Sequence, residues 1–331
     1  MRVALRDARS LITEEIADMT RVAAIDCGTN SIRLLVADVD PATGKLVDLD
    51  RRMTIVRLGQ DVDRTGRLAP EALKRTFDAC REYAAAIEEH GARRVRFVAT
   101  SASRDAENRD EFVAGVLDIL GVEPEVITGD QEAEFSFTGA TNSLDGRSDV
   151  ARPYLVVDIG GGSTEFVVGE EHAGAARSVD IGCVRMTERH APSSPATPEQ
   201  IAAITADIEA ALDEVEKTVP IRQAHTLVGL AGSVTTVAGI ALGLEEYDSE
   251  AIHHSRISYE QVEEVTTMLL NSTHDERAAI GVMHPGRVDV IAAGALVLLT
   301  VMRRTRAREV VVSEHDILDG IAYSVAAGTA G

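Results

Sequence analysis

Two stretches of the chain place a carboxylate, small residues and a hydroxyl at the same spacing. The first contains Asp26, Gly28, Thr29, Asn30 and Ser31, and the second contains Asp158, Gly160, Gly161, Gly162 and Ser163. Glycine lets backbone amides approach an oxyanion, and successive N–H groups in a turn form a concave phosphate site. A strand-end aspartate can hold hydrated Mg²⁺, which takes few carboxylates and leaves its other positions to water and phosphates. The pattern therefore predicts two phosphate-binding turns, with Asp26 and Asp158 as metal ligands.

Each turn lies between two apolar runs, so each stretch predicts a strand, a tight turn and a returning strand. The repeat predicts a duplicated, two-lobed molecule. One aligned position changes sign, since Arg33 in the first copy corresponds to Glu165 in the second. A cleft between the copies would carry a phosphate-binding cation on one wall and a carboxylate that orients water or holds metal on the other.

Size and composition describe a globular protein. A chain of 331 residues predicts two domains, and 45% hydrophobic and 26% charged residues are ordinary values. No apolar run is long enough to span a bilayer and no secretion signal is apparent, so we expect no membrane partner and a cytoplasmic location. The cysteines, Cys27, Cys80 and Cys183, are scattered, which argues against a disulfide framework or a zinc site.

The formal net charge of −21 argues against a nucleic-acid partner, since such proteins show a basic face. A polyanionic substrate must therefore meet local positive charge. The candidates are Arg33, Arg104 and the arginine runs within 93–96 and 303–308. Solvated helix or loop ends explain the two runs equally well.

The remaining pattern alternates strands with helices, which predicts mainly parallel, helix-covered sheets. We expect a polar, dispensable extension over 1–18, with Met19 as the natural start, and a terminal helix that packs back onto the first lobe. The other predicted elements are a strand in 45–58, helices over 70–90 and 108–120, strands over 95–100 and 126–129, a strand near 176–181, a helix over 198–219, a strand over 226–230, a mostly helical 255–309 and a strand over 310–313.

Successive motifs in the chain resemble those of the exopolyphosphatase and guanosine pentaphosphate phosphohydrolase (Ppx/GppA) family. They read AIDCGTNSIRLLV, VATSASRDAENR, ITGDQEAEF, VVDIGGGSTEFVVG, IGCVRMTE, GLAGSVTT, HPGRVDVIAAGA and VSEHDILDGIA. The resemblance implies an α/β fold with two ribonuclease-H-like domains of the actin, hexokinase and Hsp70 superfamily across a phosphate-binding cleft. It matches the short, two-domain branch. We expect domain I over 1–131 plus 312–331 and domain II over 132–311.

The resemblance also implies site residues and a cofactor. The family's catalytic glutamate corresponds to Glu132, and the arginine after its TSA motif corresponds to Arg104. Two acidic residues usually stand at the catalytic position, but here Gln131 precedes Glu132. An amide thus replaces a carboxylate that could tune its neighbour's pKa. Family members release orthophosphate from polyphosphate or from the 5′ end of pppGpp with Mg²⁺, and a homodimer is implied without an identified interface.

Phosphoanhydride hydrolysis needs positioned water and neutralised phosphoryl charge. We therefore expect Glu132 and Glu165 to orient and partly deprotonate the water. Arg33, Arg104 and the turn amides would bind nonbridging oxygens. Gly232 and Ser233, which open a predicted helix, would either accept a distal phosphate or simply cap that helix.

Four functions remain open at this stage. The leading one is hydrolysis of short to medium inorganic polyphosphate, and the second is pppGpp 5′-phosphohydrolase. An aromatic content of 3% slightly favours the substrate without a base. An ATP-dependent sugar or acetate-type kinase fits the motifs less well. A noncatalytic polyphosphate or nucleotide sensor draws some support from Gln131.

Overall fold

The computed structural model describes residues 19–144, 146–190 and 192–328, so the predicted 1–18 extension lies outside the described residues. The first lobe is built on a five-stranded sheet in the order β3-β2-β1-β4-β5. Its strands are β1 (Thr20–Cys27), β2 (Ser31–Val39), β3 (Leu46–Ile55), β4 (Arg94–Ala99) and β5 (Glu125–Val126).

The second lobe is built on a six-stranded sheet in the order β10-β11-β9-β6-β7-β8. Its strands are β6 (Tyr154–Ile159), β7 (Thr164–Gly169), β8 (Ala173–Val179), β9 (Thr226–Leu230), β10 (Arg256–Ser258) and β11 (Glu309–Val312). Strands β8-β7-β6-β9-β11 repeat the order of the first sheet, and β10 is an added edge strand. The duplication inferred from the two turns is therefore confirmed at the level of topology.

Both sheets are mixed, so the prediction of mainly parallel sheets is wrong. In each lobe the first strand pairs antiparallel with the second and parallel with the fourth. The reason is the turn itself, because a short connection joins antiparallel neighbours, whereas parallel strands need a long crossover. This places the ends of β1, β4, β6 and β9 at the edges where the lobes face each other.

Helices cover both sheets, and several end where the sequence predicts. Helix α2, for example, begins with Pro70 at its first turn and ends before Gly91, which has a φ of 67°. None of the described helices is long and apolar enough to cross a membrane. The helices are α1 (Val62–Thr65), α2 (Pro70–His90), α3 (Ser101–Asp105), α4 (Arg109–Leu120), α5 (Gly129–Asn142), α6 (Cys183–His190), α7 (Pro198–Glu216), α8 (Ala231–Ala241), α9 (Ser249–Ile252), α10 (Tyr259–Asn271), α11 (His274–Ala278), α12 (Ile291–Thr305) and α13 (Ile317–Ala326).

The alternating faces of the strands form separate cores. On the first sheet, one face packs against α2 and α4, and the other packs Val22 and Leu35 against Ile321 of α13. On the second sheet, one face packs against α7, α10 and α12, and the other packs Val156 against Phe137 of α5. The terminal helix thus lies on the first sheet, while α5 lies on the second.

Helices α5 and α13 touch each other backbone to backbone. A Cβ at Gly139 would lie 1.8 Å from the carbonyl oxygen of Asp316, and one at Gly320 would lie 2.1 Å from that of Phe135. Only glycine allows this approach. The predicted division of the chain into 1–131 plus 312–331 and 132–311 stays a prediction, and its first boundary falls inside α5.

Helix α13 is anchored by a buried carboxylate. Asp319 has no exposed surface, accepts a hydrogen bond from the Asp316 amide at 3.0 Å and pairs with Arg51 at 2.6 Å. Arg51 also pairs with Asp48, whose side chain is 41% exposed. The same guanidinium therefore has one buried and one exposed partner.

We expect Asp319→Ala to lower the free energy of unfolding by about 2 kcal/mol, because it leaves the half-buried Arg51 with a single, exposed partner and removes a helix cap. Asp48→Ala, the matched control, should cost less than about 1 kcal/mol, as exposed pairs do. Urea titration of both variants measures the difference, and equal losses would contradict the argument.

Candidate active site

The two glycine turns face each other across a small cavity of about 70 Å³. They touch, because a Cβ at Gly161 would lie 3.0 Å from Cβ of Thr29, and one at Gly162 would lie 2.7 Å from Oγ1 of the same threonine. Thr29 in turn shares a hydrogen bond of 2.8 Å with the Ser101 hydroxyl. The glycines of the second turn are therefore needed for the lobes to meet.

The carbonyl groups of the first turn are held from outside the cavity. Gly59 N donates to the Thr29 carbonyl at 2.9 Å, and the amides of Val56 and Arg57 donate to the Asn30 carbonyl at 3.0 and 2.8 Å. In a planar trans peptide, a carbonyl and the next N–H point in opposite directions. The amides that follow these carbonyls are thus directed to the side of the cavity.

The second turn is held in the same way by the start of α6. The amides of Gly182, Cys183 and Val184 donate to the carbonyls of Gly162, Gly160 and Gly161 at 3.1, 2.9 and 2.8 Å. These bonds also satisfy N–H groups at the beginning of α6 that lack partners within the helix. Both turns therefore offer backbone amides to an anion, which is the arrangement the spacing predicts.

Glu132 enters the cavity from the first turn of α5. The residue is 8% exposed and lines the cavity, and its Oε2 accepts a hydrogen bond from Arg104 at 2.8 Å. Arg104 also donates to the Ile127 carbonyl at 2.9 Å. Burial raises the pKa of Glu132 to about 7, although the Arg104 guanidinium opposes the shift. A carboxylate with that pKa suits a general base near neutral pH.

Gln131 does not face Glu132. The side-chain oxygen of Gln131 accepts a hydrogen bond from the backbone amide of Thr128 at 3.0 Å. The backbone amide of Gln131 donates to the Thr128 hydroxyl, and the two bonds form a capping box. The side chain is exposed and lies away from the cavity. The side chain at position 131 therefore does not contact Glu132, and the expectation that a carboxylate here would tune the pKa of Glu132 stays a prediction that the geometry does not favour.

Gln131→Glu should consequently change the turnover rate by less than about twofold, because glutamate serves equally well in a capping box. Glutamate would restore the acidic pair expected at this position. The comparison of orthophosphate release by the two proteins measures the effect. A gain of tenfold or more would mean that the residue does act on Glu132.

The sign change between the two copies has a structural consequence. In the first lobe, Arg33 lies opposite Asp26 and donates to it at 2.6 Å, and it also pairs with Asp316. In the second lobe, Glu165 lies opposite Asp158. The carboxylate of Asp26 thus has a cationic partner, whereas two carboxylates are adjacent in the second copy.

The carboxylates of the second lobe have raised pKa values. Burial, followed by the charge of Asp316, raises the pKa of Asp158 to about 6. Burial, with the charges of Glu132 and Asp158, raises the pKa of Glu165 well above its usual range. The cavity therefore carries excess negative potential on the side of the second turn, which a cation would relieve.

The residues fit a magnesium ion that takes few protein ligands. Oδ1 of Asp26 and Oε2 of Glu165 are buried oxygens without a hydrogen-bond donor. Asp158 lines the cavity, and only its Oδ2 accepts from Ser136, at 2.6 Å. No group of three or more ligating side chains in the described ranges could hold an ion alone. Substrate phosphates and water would supply the rest of the shell.

Arg287 is a site residue to which the sequence analysis assigned no role. It lines the small cavity, and its guanidinium lies against the start of α8, where a Cβ at Gly232 would be 1.8 Å from Cζ. No described residue pairs with or hydrogen-bonds this guanidinium. Burial lowers the pKa of Arg287. An unpaired cation beside a helix N-terminus is a strong anion site.

The backbone at this point is strained in a way that supports binding. Ala231, the first residue of α8, has a φ of 66°, in the left-handed region that non-glycine residues rarely adopt. Such strain concentrates at functional sites. Ala231 and Gly232 both line the cavity, whereas Ser233 is buried behind them against Gly294.

Most of the predicted site residues meet at the cavity, and a few do not. Arg104 hydrogen-bonds Glu132, and Glu165 is buried opposite Asp158 on the neighbouring strand. Gly162 faces the first turn and Ser233 lies in the core. Their predicted catalytic and binding roles stay predictions. The predicted residues that line the cavity are Asp26, Gly28, Thr29, Asn30, Ser31, Arg33, Glu132, Asp158, Gly160, Gly161, Ser163 and Gly232.

The two arginine runs lie away from the cavity between the turns. Arg96 pairs with Glu125, and Arg304 pairs with Glu209 and Glu216. For Arg304 the structure supports the interpretation as a salt-bridged end at the surface, whereas Arg96 is buried rather than solvated.

Comparison with known proteins identifies the family of the chain. Residues 35–328 match the model of the Ppx/GppA phosphatase family. The chain belongs to the Ppx/GppA family. It is 50% identical over 319 residues to exopolyphosphatase 2 of Mycobacterium tuberculosis, an alignment that covers 93% of this chain and 99% of that protein.

Two further comparisons support the same family. The chain is 32% identical to the guanosine-5′-triphosphate,3′-diphosphate pyrophosphatase of Photobacterium profundum, over 73% of this chain and 49% of that protein. The solved structure of an exopolyphosphatase-like protein superposes with a TM-score of 0.89 at 46% identity, covering 93% of this chain and 98% of that one. The predicted family and the predicted two-lobed, actin-like fold are both confirmed.

Proposed function

We propose that this protein is a Mg²⁺-dependent exopolyphosphatase that hydrolyses the terminal phosphoanhydride bond of inorganic polyphosphate and releases orthophosphate. One observation carries the proposal: the amides of both turns, Glu132 and the unpaired Arg287 surround a cavity of about 70 Å³, a size that suits a terminal phosphoryl group. The 50% identical relative named exopolyphosphatase 2 supports the same substrate.

The residues have distinct tasks in this reaction. The turn amides bind the nonbridging oxygens of the terminal phosphoryl group and stabilise charge where it develops. Glu132 orients a water molecule in line with the scissile bond and accepts its proton, and Arg104 holds Glu132 in place. Asp158 would hold Mg²⁺, which when bound neutralises phosphate charge. Glu165, opposite Asp158 on the neighbouring strand, would add negative charge that strengthens the attraction of the site for the cation.

The remaining phosphates of the substrate would extend into a neighbouring cavity. A second cavity of about 500 Å³ adjoins the first and shares Arg33, Ala231, Gly232 and Arg287 with it. Arg51 and Arg52 also line this larger cavity. Arg33, Arg51 and Arg52 each pair with an aspartate. Arg287 therefore supplies most of the local attraction that a polyanion needs in a protein with a net charge of −21.

A second candidate, pppGpp 5′-phosphohydrolase, is favoured by the other walls of the larger cavity. Met53, Met283, Pro285 and Tyr247 present apolar and aromatic surface there. A nucleoside could pack on such walls, whereas inorganic polyphosphate gains nothing from them. The relative named guanosine-5′-triphosphate,3′-diphosphate pyrophosphatase is consistent with this candidate.

Orthophosphate release tests the proposal. Purified protein is given Mg²⁺ and, in parallel, short polyphosphate, long polyphosphate, pppGpp and ATP. A kcat/KM that is highest for polyphosphate supports the exopolyphosphatase, and one highest for pppGpp supports the second candidate. Release from ATP alone, or from none of them, would overturn both. Removal of Mg²⁺ by chelation with EDTA should abolish orthophosphate release. Asp158→Asn should raise the Mg²⁺ concentration needed for half-maximal release.

The pH dependence follows from the position of Glu132. Since burial raises the pKa of Glu132 to about 7, and the base acts when deprotonated, kcat/KM should rise with pH through about 7 and then level off. Arg104→Gln should move this limb to higher pH, because the positive charge of Arg104 holds the pKa of Glu132 down. A limb that stays in place in the variant would contradict the assignment of Glu132 as the base.

A further inference from the structure

Arg185, outside the cavity, joins the two lobes. It lies on α6 of the second lobe, and its Nε donates to the Gly162 carbonyl at 2.8 Å. Its Nη2 donates to Asp105 at 2.5 Å, and its Nη1 pairs with Asp63. Asp63 and Asp105 belong to α1 and α3 of the first lobe. A single guanidinium thus ties the second glycine turn to two helices across the cleft.

The surroundings show that this contact is built into the fold. The Arg185 side chain is only 12% exposed, and its planar fork suits two carboxylates. Helix α6 is itself fixed to the glycine turn by its first amides. One turn further on, Glu188 accepts from the Asp61 amide at 3.2 Å. Residues three apart on a helix share a face, so this face of α6 is directed at the first lobe.

The contact leads directly to the proposed catalytic glutamate. Asp105 follows Arg104, whose guanidinium holds Glu132 at 2.8 Å. Helix α3 has only five residues, so a side-chain bond to its last residue fixes the peptide that carries Arg104. Arg185 therefore acts on Glu132 through Asp105 and Arg104, without touching the cavity between the turns.

We propose that Arg185 is a positioning residue of the phosphohydrolase. When the lobes close, its guanidinium captures Asp63 and Asp105 and so sets Arg104 and Glu132 against the second glycine turn. On opening, the two bonds across the cleft break, and the bond to Gly162 within the second lobe remains. The inference rests on the proposed function, because it assigns Arg185 a role in that reaction.

Steady-state kinetics of Arg185→Lys, Asp105→Asn and the double variant test this role. A misplaced catalytic group typically costs about 10²-fold, so each single variant should lower kcat by about 10–100-fold with little change in KM. The double variant should lose no more than the worse single variant, since both remove one contact. A rise in KM with unchanged kcat, or losses that multiply, would overturn the proposal.

Arg57→Lys is the matched control. Arg57 pairs with Asp289 across the cleft at 3.1 Å, but both side chains are nearly half exposed. An exposed pair contributes little, so kcat should stay within about twofold. A loss equal to that of Arg185→Lys would show that any pair between the lobes matters, and would overturn the specific role of Arg185.

A distance measurement separates this inference from the proposed function. The three native cysteines are buried, so spin labels can be directed to Glu82→Cys on α2 and Glu199→Cys on α7. In the unliganded protein, Arg185→Lys should broaden the distribution of distances between the labels towards longer values. An unchanged distribution overturns the inference whatever the activity, whereas a wild type that hydrolyses neither substrate defeats the proposed function alone.

Discussion

Glu132→Gln should lower kcat by about 10²–10⁴-fold, the range that a general base contributes. The variant keeps the size of the side chain and a hydrogen-bond acceptor for Arg104, so substrate binding should change little. Phosphate release in a single turnover, together with KM, measures both quantities. The loss should fall almost wholly on kcat, because the glutamate acts on the attacking water rather than on the bound phosphates.

The matched control lies on the same helix. Glu134 is exposed, two residues after Glu132, and does not line the cavity. Glu134→Gln removes the same charge and should leave kcat within about twofold, as surface substitutions do. If both variants lost activity equally, the effect would come from net charge near α5. If neither did, Glu132 would not be the base.

The features that depend on local sequence could be predicted. The glycine turns were predictable because glycine, small residues and flanking apolar runs favour one local structure, and the same pattern occurs twice. Helix α2 was predictable in both bounds because Pro70 and Gly91 favour its start and its stop. The fold followed from this repetition and from the resemblance of the motifs.

Features that depend on which way a side chain faces could not be predicted. Gln131 and Glu132 are adjacent, yet one caps the helix at Thr128 and the other enters the cavity. Adjacent residues on a helix point about 100° apart, and only the packing of α5 decides which faces the cleft. Adjacency in the sequence therefore does not place the side chains of Gln131 and Glu132 next to each other in space.

Features that depend on distant contacts were also missed. Arg185 and Asp105 are 80 residues apart, and α6, which carries Arg185, was not predicted as a helix. Arg287 lies in a motif that the sequence analysis noted without a role, and its proximity to Gly232 depends on how the 3₁₀ turn Pro285–Arg287 packs against α8. The motif also contains Asp289, so its residues alone do not show that the Arg287 guanidinium lacks an acidic partner.

Arg287→Ala should lower kcat/KM by about 10²–10³-fold, because a half-buried cation paired with a substrate phosphate is worth several kcal/mol. Most of the loss should appear in KM, since Arg287 lies where the small cavity meets the larger one and binds phosphates on the way to the reacting group. Arg303→Ala is the control for net charge: Arg303 pairs with Glu209 at the surface, and its loss should change kcat/KM by less than about twofold.

Stability distinguishes binding from a structural role. The Arg287 guanidinium costs free energy in the unliganded protein, because burial outweighs the favourable charge of Glu314 and no described residue forms an ion pair or hydrogen bond with it. Arg287→Ala should therefore leave the free energy of unfolding unchanged or raise it by up to about 1 kcal/mol while activity falls, the trade that functional residues often show. Urea titration of the unliganded variant measures the change. A marked loss of stability would mean that Arg287 holds the 3₁₀ turn against α8, and that its effect on catalysis is indirect.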